Sequence, residues 1–360
     1  MTEMMIVVGT RPEIIKMAPV IRALQRRKQP FAFVYSGQHY DYDLSKKFIE
    51  ELNLPEPEYW LKLKERSPAA QTGRMMMKLE RVLKKESPRL MLILGDTNTM
   101  LAAALAAFKN NVPTGHVEAG LRSYDQRMPE EHNRRMVDHA STYLFAPTDK
   151  AKQNLLRENV WGKIYVTGNT VIDAVAQHVP LAEKSSKILE QVKFDEFALA
   201  TAHRAENVDD SDVLKNFTKA LVELPIPVVF PIHPRTKKRL HQYNLWAELA
   251  SSTNVQLLPP LGYFDFLMLM KNCKLILTDS GGIQEEATAP QIRKPVVVLR
   301  ISTERPEAVK AGFAKVAGIK KNEILKIARK SLYKMELPKK SPFGDGKTGE
   351  RIAQIVKELI

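Results

Sequence analysis

The sequence has 360 residues, a hydrophobic content of 44% and a formal net charge of +14. This length favours two domains over one, and the apolar content is sufficient for a full core. No apolar run is long enough to cross a membrane, and the single cysteine, Cys273, excludes a disulfide framework and a cysteine-rich metal site.

The N-terminal residues and the charge pattern predict the location of the protein and the kind of partner that it binds. The start MTEMMIVV has no basic segment and carries Glu3, so it differs from a signal peptide, and we expect a cytoplasmic protein. The positive charge favours anionic partners. The lysines are spread along helices, however, and no basic segment is interleaved with aromatic residues. We therefore expect neither a nucleic acid nor a membrane as partner.

The first half of the chain alternates apolar runs with amphipathic segments. The first run, Met4–Val8, is continuously apolar, which is typical of a strand buried on both faces of a parallel sheet. Pro12 and Glu13 suit the first turn of the helix that follows it. Further strands are predicted at residues 31–35, 90–94, 112–117, 143–146 and 164–166, and further helices at residues 41–52, 71–85, 100–108 and 130–139.

A second series of strands follows a charged segment. The joint is predicted at residues 168–173, with a helix that runs into the second domain. Strands are predicted at residues 197–200, 228–232, 255–258, 275–277 and 296–299. The fold class is therefore α/β, with two doubly wound parallel sheets that face a cleft. The predicted domains are residues 1–170 and 171–345, and residues 346–360 form a closing helix that packs back across the joint.

The stretch LILTDSGGIQEEAT, residues 275–288, predicts an anion site. A buried strand leads into a tight turn at Asp279–Gly282, and a helix is expected at residues 283–289, ending before Pro290. Free backbone N–H groups and the positive end of the helix dipole would then point at one spot. Glu286 lies roughly 6–9 Å further along, where its carboxylate could accept hydrogen bonds from a ribose.

Several other polar residues directly follow predicted strands. Ligands of open parallel sheets bind beyond the carboxyl ends of the strands, so these residues are expected to line one active site. Lys16 lies about one helical turn after Arg11, the first of these residues. The set comprises Arg11, Asp96, Glu118, His203, His233, Ser280, Gly281, Gly282 and Arg305.

The sequence lacks the motifs of several other kinds of functional site. His132 and His139 are seven residues apart, which does not match the His-Glu-x-x-His spacing of a zinc helix, so no metal is expected. The chain has no Gly-x-x-x-x-Gly-Lys loop and no Gly-x-Ser-x-Gly elbow. Cys273 precedes an apolar run and is interpreted as structural.

Seven phrases occur in an order that resembles the non-hydrolysing UDP-N-acetylglucosamine 2-epimerases. They are GTRPEIIKMAPV, GDTNT, HVEAGLRS, PEEHNRR, HRAEN, LTDSGGIQEEA and STERPEA. The resemblance covers nearly the whole chain. It implies the glycosyltransferase-B architecture with two Rossmann-like domains. It also implies interconversion of UDP-GlcNAc and its C2 epimer UDP-N-acetylmannosamine (UDP-ManNAc), no cofactor, and a homodimer.

The resemblance also implies roles for individual residues. The catalytic positions are Asp96, Glu118, Glu130 and His203. The contacts to UDP and sugar are Arg11, Lys16, Arg122, Phe266, Ser280, Gly281, Gly282, Glu286 and Arg305. A second UDP-GlcNAc, acting as activator, would bind near Gln38, His39 and His233.

The residue types suit an anti elimination of UDP to 2-acetamidoglucal followed by re-addition. Arg11, Arg305 and the 280–282 turn supply positive charge for the departing diphosphate. Asp96, Glu118 and Glu130 are the acid/base candidates, and the sequence does not assign them to faces of the sugar. Three alternatives stay open: a hydrolysing 2-epimerase that releases ManNAc, a glycosyltransferase of the same fold, and a non-catalytic RNA-binding protein.

Overall fold

A computed structural model describes residues 3–37, 42–63, 65, 67–334 and 336–360. The chain divides into two compact units. The N-terminal unit comprises residues 1–174 and 343–360, and the C-terminal unit comprises residues 175–342. Gln38 and His39, which were predicted to contribute to a second ligand site, lie outside the described residues.

The N-terminal unit is built on a seven-stranded parallel sheet of order β3-β2-β1-β4-β5-β6-β7. The inner strand β1 is completely buried, because helices cover both faces of the sheet and each residue packs against one of them. The strands are β1 Met4–Val8, β2 Ala32–Tyr35, β3 Tyr59–Trp60, β4 Leu90–Leu94, β5 Thr114–Val117, β6 Tyr143–Ala146 and β7 Lys163–Val166.

The helices of this unit alternate with its strands. The alanine-rich α4 packs closely on α3 and on the sheet, since its small side chains allow a short approach. The last helix, α16, packs on α1, where Gly349 lies directly against Pro19. The helices are α1 Arg11–Arg26, α2 Tyr42–Glu51, α3 Pro68–Glu86, α4 Asn98–Lys109, α5 Pro129–Ala140, α6 Asp149–Arg157 and α16 Thr348–Leu359, and α7 Thr170–Ser185 leads into the C-terminal unit.

The C-terminal unit repeats the plan with a six-stranded parallel sheet of order β10-β9-β8-β11-β12-β13. Its strands are β8 Ala198–Thr201, β9 Val228–Pro231, β10 Val255–Leu258, β11 Leu275–Thr278, β12 Val296–Val298 and β13 Ala314–Val316. Its helices are α8 Ala205–Val208, α9 Ser211–Val222, α10 Pro234–Gln242, α11 Trp246–Ser251, α12 Tyr263–Asn272, α13 Gly281–Glu286, α14 Pro306–Lys310 and α15 Lys321–Lys334, and a 3-10 turn spans Ile188–Gln191.

The predicted α/β class with two parallel sheets is confirmed, and the elements differ from prediction in detail. The short strands β3 and β13 and the polar helix α6 were not predicted. Helix α13 begins at Gly281 and ends at Glu286, whereas it was expected at residues 283–289. The backbone after Glu286 forms tighter turns, with the amide of Thr288 donating to the carbonyl of Glu285 and the amide of Ala289 to that of Glu286.

In the described part of the chain, no helix combines the length and the apolar character needed to cross a membrane. Cys273 is buried, and burial raises the pKa of its thiol to about 12. A thiol with that pKa is almost entirely protonated near neutral pH, in agreement with the predicted structural role of this residue.

Candidate active site

Three neighbouring strands of the N-terminal sheet, β1, β4 and β5, each end at a predicted site residue. Arg11 opens α1 directly after β1, Asp96 follows β4, and Glu118 follows β5. Arg11 is exposed, and its guanidinium lies over the ring of Phe48, 4.6 Å from the centroid. The fold therefore brings these residues to one edge of one sheet, as the sequence predicted.

A buried carboxylate, Glu13, connects two of these loops. Its Oε2 accepts hydrogen bonds from the backbone amides of Gly9 (2.6 Å) and Thr10 (2.9 Å), and its Oε1 accepts one from the hydroxyl of Thr97 at 2.5 Å. Glu13 thus ties the turn that presents Arg11 to the loop that presents Asp96. Burial raises the pKa of Glu13 to about 7, against the opposing effect of these hydrogen bonds and with a further contribution from the charge of Asp96.

The pKa of Glu13 makes a prediction about stability. A carboxyl group whose pKa is higher in the folded than in the unfolded protein stabilises the fold fully below pH 4.5, and the contribution disappears as the pH rises through 7. In the Glu13→Gln variant the amide oxygen can still accept from both backbone amides, and no charge forms. Between pH 5 and pH 8 the free energy of unfolding of the native protein should therefore fall by about 2–3 kcal/mol relative to that of the variant.

Urea unfolding of both proteins at the two pH values, followed by circular dichroism, measures this difference. Glu80→Gln is the control, since Glu80 pairs with Lys84 on the exposed face of α3. Parallel pH dependence of the native protein and the Glu13→Gln variant would show that Glu13 does not titrate in this range.

Asp96 is held by a cation from α5. Nη2 of Arg134 lies 2.7 Å from Oδ2 of Asp96, and the side chain of Asn133 donates to the backbone carbonyl of Asp96 at 2.9 Å. Arg134 also donates to Glu131 at 2.8 Å. Because Asp96 keeps 29% of its side chain exposed, it remains accessible to a ligand.

The two glutamates that open α5 have different environments. Glu130, the predicted catalytic residue, is exposed. Glu131 is buried and accepts hydrogen bonds from the amide of Ser123 (2.8 Å), the hydroxyl of Ser123 (3.0 Å) and the amide of Tyr124 (3.2 Å). Burial raises the pKa of Glu131, but these bonds and Arg134 outweigh it and keep the pKa below its ordinary value. Glu131 therefore fixes the 123–124 loop, a role that the sequence reasoning missed.

Glu118 occupies the most constrained position of this unit. It is buried and its backbone has φ +69°, in the left-handed region that side chains other than glycine rarely adopt. Its Oε1 accepts hydrogen bonds from Nζ of Lys16 (2.7 Å) and from the side-chain amide of Asn169 (3.1 Å). The structure thus joins Glu118 with the predicted contact Lys16, and adds Asn169, which no pattern had indicated.

Arg122, a predicted substrate contact, forms buried ion pairs. Its guanidinium is fully buried, with Nη2 2.7 Å from Oδ2 of Asp138 and 2.7 Å from Oε2 of Glu158. Burial lowers the pKa of Arg122, but the two carboxylates outweigh it, so the pKa lies above its ordinary value. These ion pairs give Arg122 a structural role, and its contact with the substrate stays a prediction.

Asp138 connects this ion pair to the strand that carries Glu118. It is completely buried, and its Oδ1 lies 2.7 Å from Nδ1 of His116. Its Oδ2 accepts from the amide of Gly120 at 3.1 Å in addition to pairing with Arg122. His116 and Gly120 lie two residues on either side of Glu118, so Asp138 holds the backbone at that residue in place.

In the C-terminal unit, the predicted anion site at residues 280–282 lies at the carboxyl end of β11 and opens α13. A Cβ on Gly281 would lie 2.9 Å from Oε1 of Glu304 and 3.7 Å from the guanidinium carbon of Arg305, so the turn packs against both side chains and a larger residue there would displace the carboxylate of Glu304. Arg305 is buried beside the turn, with Nε 2.5 Å from Oε1 of Glu285. The structure therefore brings the predicted contact Arg305 to the turn.

A carboxylate network holds the cations around this turn. Glu304 pairs with Arg204 at 3.0 Å and with Arg300. Burial raises the pKa of Glu304, but Arg305, Arg300 and Arg204 outweigh it and lower the pKa to about 2. The carboxylate is therefore charged over the physiological range, and it fixes the positive groups that surround the turn.

His203 follows β8, the strand beside β11, and is held by Asp279. Asp279 is completely buried, and its Oδ2 accepts from the backbone amides of His203 (2.9 Å) and Arg204 (2.9 Å) and from the side chain of Asn207 (3.2 Å). Burial raises the pKa of Asp279, but the contacts with His203 outweigh it, so the pKa lies below its ordinary value.

His233 lies beside His203, with 5.7 Å between the ring centroids. It caps α10, and its Nδ1 accepts from the amide of Arg235 at 3.2 Å. Burial and the positive charges of His203 and Arg235 lower the pKa of His233 below its ordinary value. The imidazole of His233 is therefore held mainly neutral near pH 7.

The last predicted contacts, Phe266 on α12 and Glu286 at the end of α13, are both partly buried. The buried hydroxyl of Tyr263, also on α12, has a pKa well above its ordinary value because of burial and the charge of Glu286. Glu286 is thus close to the start of α12. Among the described residues, no three His, Cys, Asp or Glu side chains are arranged to hold a metal ion.

Comparisons with known proteins identify the family to which the chain is similar. The model of the UDP-N-acetylglucosamine 2-epimerase family matches residues 22–357. The UDP-N-acetylglucosamine 2-epimerase of Methanocaldococcus jannaschii is 47% identical over 360 residues, covering 98% of each chain. The UDP-2,3-diacetamido-2,3-dideoxy-D-glucuronate 2-epimerase of Pseudomonas aeruginosa is 38% identical over 360 residues, covering 98% of this chain and 99% of its own.

A solved structure is similar over the full length. The crystal structure of the Methanocaldococcus jannaschii UDP-GlcNAc 2-epimerase in complex with UDP-GlcNAc and UDP has a TM-score of 0.88 and 46% identity, with 99% of both chains covered. Family model, full-length identity and shared fold lead to the same assignment: the chain belongs to the UDP-N-acetylglucosamine 2-epimerase family.

Proposed function

We propose that this protein interconverts UDP-GlcNAc and UDP-ManNAc without hydrolysing them, by inverting the configuration at C2 of the sugar. The observation that carries the proposal is the pair of residue sets at the sheet edges. Carboxylates follow β4 and β5 of one unit, and a glycine turn with buried arginines follows β11 of the other. The first set suits proton transfer, and the second suits a diphosphate.

The C-terminal unit is proposed to bind UDP. The amides of residues 280–282 and the guanidinium of Arg305 would hold the diphosphate, in the way that helix starts and arginines bind anions elsewhere. Glu286 would accept hydrogen bonds from the ribose, and Phe266 would lie against the uridine. Arg11 of the N-terminal unit, which is exposed, would contribute further positive charge.

The N-terminal unit is proposed to act on the sugar. No carbonyl acidifies the hydrogen at C2, so direct deprotonation would be slow. In the proposed elimination a carboxylate takes the C2 proton while the C1–O bond breaks and UDP leaves with the bonding electrons, giving 2-acetamidoglucal. A proton is then returned to C2 on the opposite face, and an oxygen of UDP attacks C1. Asp96, Glu118 and Glu130 are the proposed acid/base groups.

The test is an incubation of the protein with UDP-GlcNAc alone, followed by proton NMR. The proposal predicts a mixture of UDP-GlcNAc and UDP-ManNAc that is also reached from UDP-ManNAc. Free ManNAc with stoichiometric UDP would indicate the hydrolysing reaction. No change without an acceptor sugar would favour a glycosyltransferase. Turnover only of a UDP-2,3-diacetamido-glucuronate, the substrate in the name of the Pseudomonas aeruginosa relative, would change the substrate but keep the reaction type.

We further propose a homodimer and activation by a second UDP-GlcNAc near His233. The proximity of His233 to His203 supports this second site, because a ligand at one imidazole would alter the field at the other. A rise in the initial rate of UDP-ManNAc conversion on addition of UDP-GlcNAc supports activation, and a rate that only falls, as product inhibition requires, opposes it. Light scattering coupled to size-exclusion chromatography measures the oligomeric state.

A further inference from the structure

The two oxygens of Asp279 make different contacts with the loop that carries His203. Oδ2 accepts three N–H groups, from the amides of His203 and Arg204 and from the side chain of Asn207. Oδ1 is buried, makes no hydrogen bond of good angle within the described part of the chain, and lies 3.2 Å from Nδ1 of His203. The same carboxylate therefore fixes both the backbone of His203 and the imidazole.

The chemistry of a carboxylate determines which nitrogen of His203 carries a proton. Three N–H donors on one oxygen favour the ionised form of Asp279, and an ionised carboxylate only accepts hydrogen bonds. Nδ1 of His203, which faces it, is therefore the N–H donor in both charge states of the ring. The proton that the ring gains and loses is then the one on Nε2.

The groups around the imidazole of His203 are consistent with an Nδ1–H that faces the carboxylate of Asp279. Side-chain exposure of 36% leaves His203 accessible to a ligand. His233, next to it, is held mainly neutral. Arg204 and Arg235 also lie in this region, where Arg204 pairs with Glu304 and Arg235 pairs with Asp209. Asp279 is the buried negative charge in direct contact with the imidazole. It precedes Ser280, so the carboxylate that orients the ring also begins the proposed diphosphate turn.

We infer that Asp279 is a positioning residue that holds His203 with Nδ1–H toward its carboxylate, so that Nε2 delivers a proton or positive charge to the departing diphosphate. The inference rests on the proposed function, and it places His203, a catalytic position that the family resemblance implies, at the leaving group. Asp279 itself acts through the imidazole and need not touch the substrate. Carboxylate–histidine pairs of this kind select the tautomer and stabilise the imidazolium.

Asp279→Asn tests the inference with little change in shape. The three N–H donors require the amide oxygen of Asn at the Oδ2 position, so the NH₂ group faces Nδ1. Two donors then oppose each other, and His203 must move its proton to Nε2 and resist a second one. The neutral ring of His203 should therefore change from the Nδ1–H to the Nε2–H tautomer. The kcat should fall on the order of 10²-fold, with its pH dependence displaced, and KM should change less.

Two further variants distinguish a lost orientation of His203 from a general loss of activity. Glu223→Gln is the control for a lost carboxylate charge, because Glu223 is exposed and pairs with Lys321 at 2.9 Å in the same unit, and it should leave kcat and its pH profile unchanged. In a His203→Gln background, Asp279→Asn should cost little additional activity, since two residues that act as one unit are not additive.

The decisive readout does not depend on activity or on the variant. In full-length protein with ¹⁵N-labelled histidines, two-bond ¹H–¹⁵N correlations report the tautomer of each neutral imidazole, and loss of one set of peaks in His203→Gln assigns His203. The inference requires the Nδ1–H tautomer in the native protein. The Nε2–H tautomer would overturn it, even if Asp279→Asn fails to fold, and so would an unchanged tautomer of His203 in a folded Asp279→Asn variant. Absence of epimerisation by the native protein would overturn the proposed function instead.

Discussion

Replacement of Glu118 by glutamine is expected to lower the kcat of epimerisation about 10³-fold and to change the affinity for UDP less than about threefold. Glu118 is buried, receives a hydrogen bond from Lys16 and another from Asn169, and has a left-handed backbone. Such strain persists where the surrounding structure enforces it, and it is concentrated at functional sites. Glutamine keeps the shape and can still accept both hydrogen bonds, so the change removes the proton-transfer function with little change in structure.

Initial rates of UDP-ManNAc formation and calorimetric titration with UDP measure the two effects separately. Glu80→Gln, an exposed substitution on α3, serves as the control for a changed charge. Retention of more than about a tenth of the native kcat would exclude Glu118 as an acid/base group, because such groups typically contribute 10²–10⁴-fold. An equal loss of rate and of UDP affinity would point to misfolding of the site.

Asp138→Asn is expected to destabilise the protein by about 3–5 kcal/mol, the largest loss of stability that we predict. Asp138 has no exposed surface and interacts with His116, Gly120 and Arg122. An amide at this position can bond His116 only in the tautomer whose Nδ1 accepts and whose Nε2–H donates to the carbonyl of Gly95, and it leaves the charge of Arg122 only partly compensated. Breaking one member of a buried ionic network is costly for this reason.

Glu158→Gln is a matched control, because Glu158 pairs with the same guanidinium but keeps 20% of its side chain exposed. Solvent and Asp138 would compensate for its loss, so we expect a cost of about 1 kcal/mol or less. Urea unfolding of both variants measures the contrast. Similar small losses for the two substitutions would show that Asp138 does not organise the loop at Glu118.

The sequence predicted the sheets well, because their determinants are local. Continuous apolar runs such as Met4–Val8 correspond to strands buried on both faces, and glycine or proline marks the turns that follow. The residues after those strands reach the sheet edges because parallel strands align their carboxyl ends. By contrast, β3 and β13 are two and three residues long, too short to give a periodic pattern.

The partners of the site residues could not be predicted from the sequence. Asp279 meets His203 across 76 positions, and Asn169 meets Glu118 across 51, so no local pattern connects them. The neighbouring glutamates 130 and 131 are identical in type, and only the packing of α5 decides which one is buried. The ion pairs of Arg122 could not be predicted either, because only the tertiary structure brings Asp138 and Glu158 to its guanidinium.

The central claim is that UDP leaves the sugar while carboxylates of the N-terminal unit move the hydrogen at C2. The most direct test is epimerisation of UDP-GlcNAc in D₂O, with the C2 position of the product followed by proton NMR and mass spectrometry. The account predicts UDP-ManNAc that carries one deuterium, located at C2, from the earliest turnovers. UDP-ManNAc that keeps the original C2 hydrogen through many turnovers would contradict it.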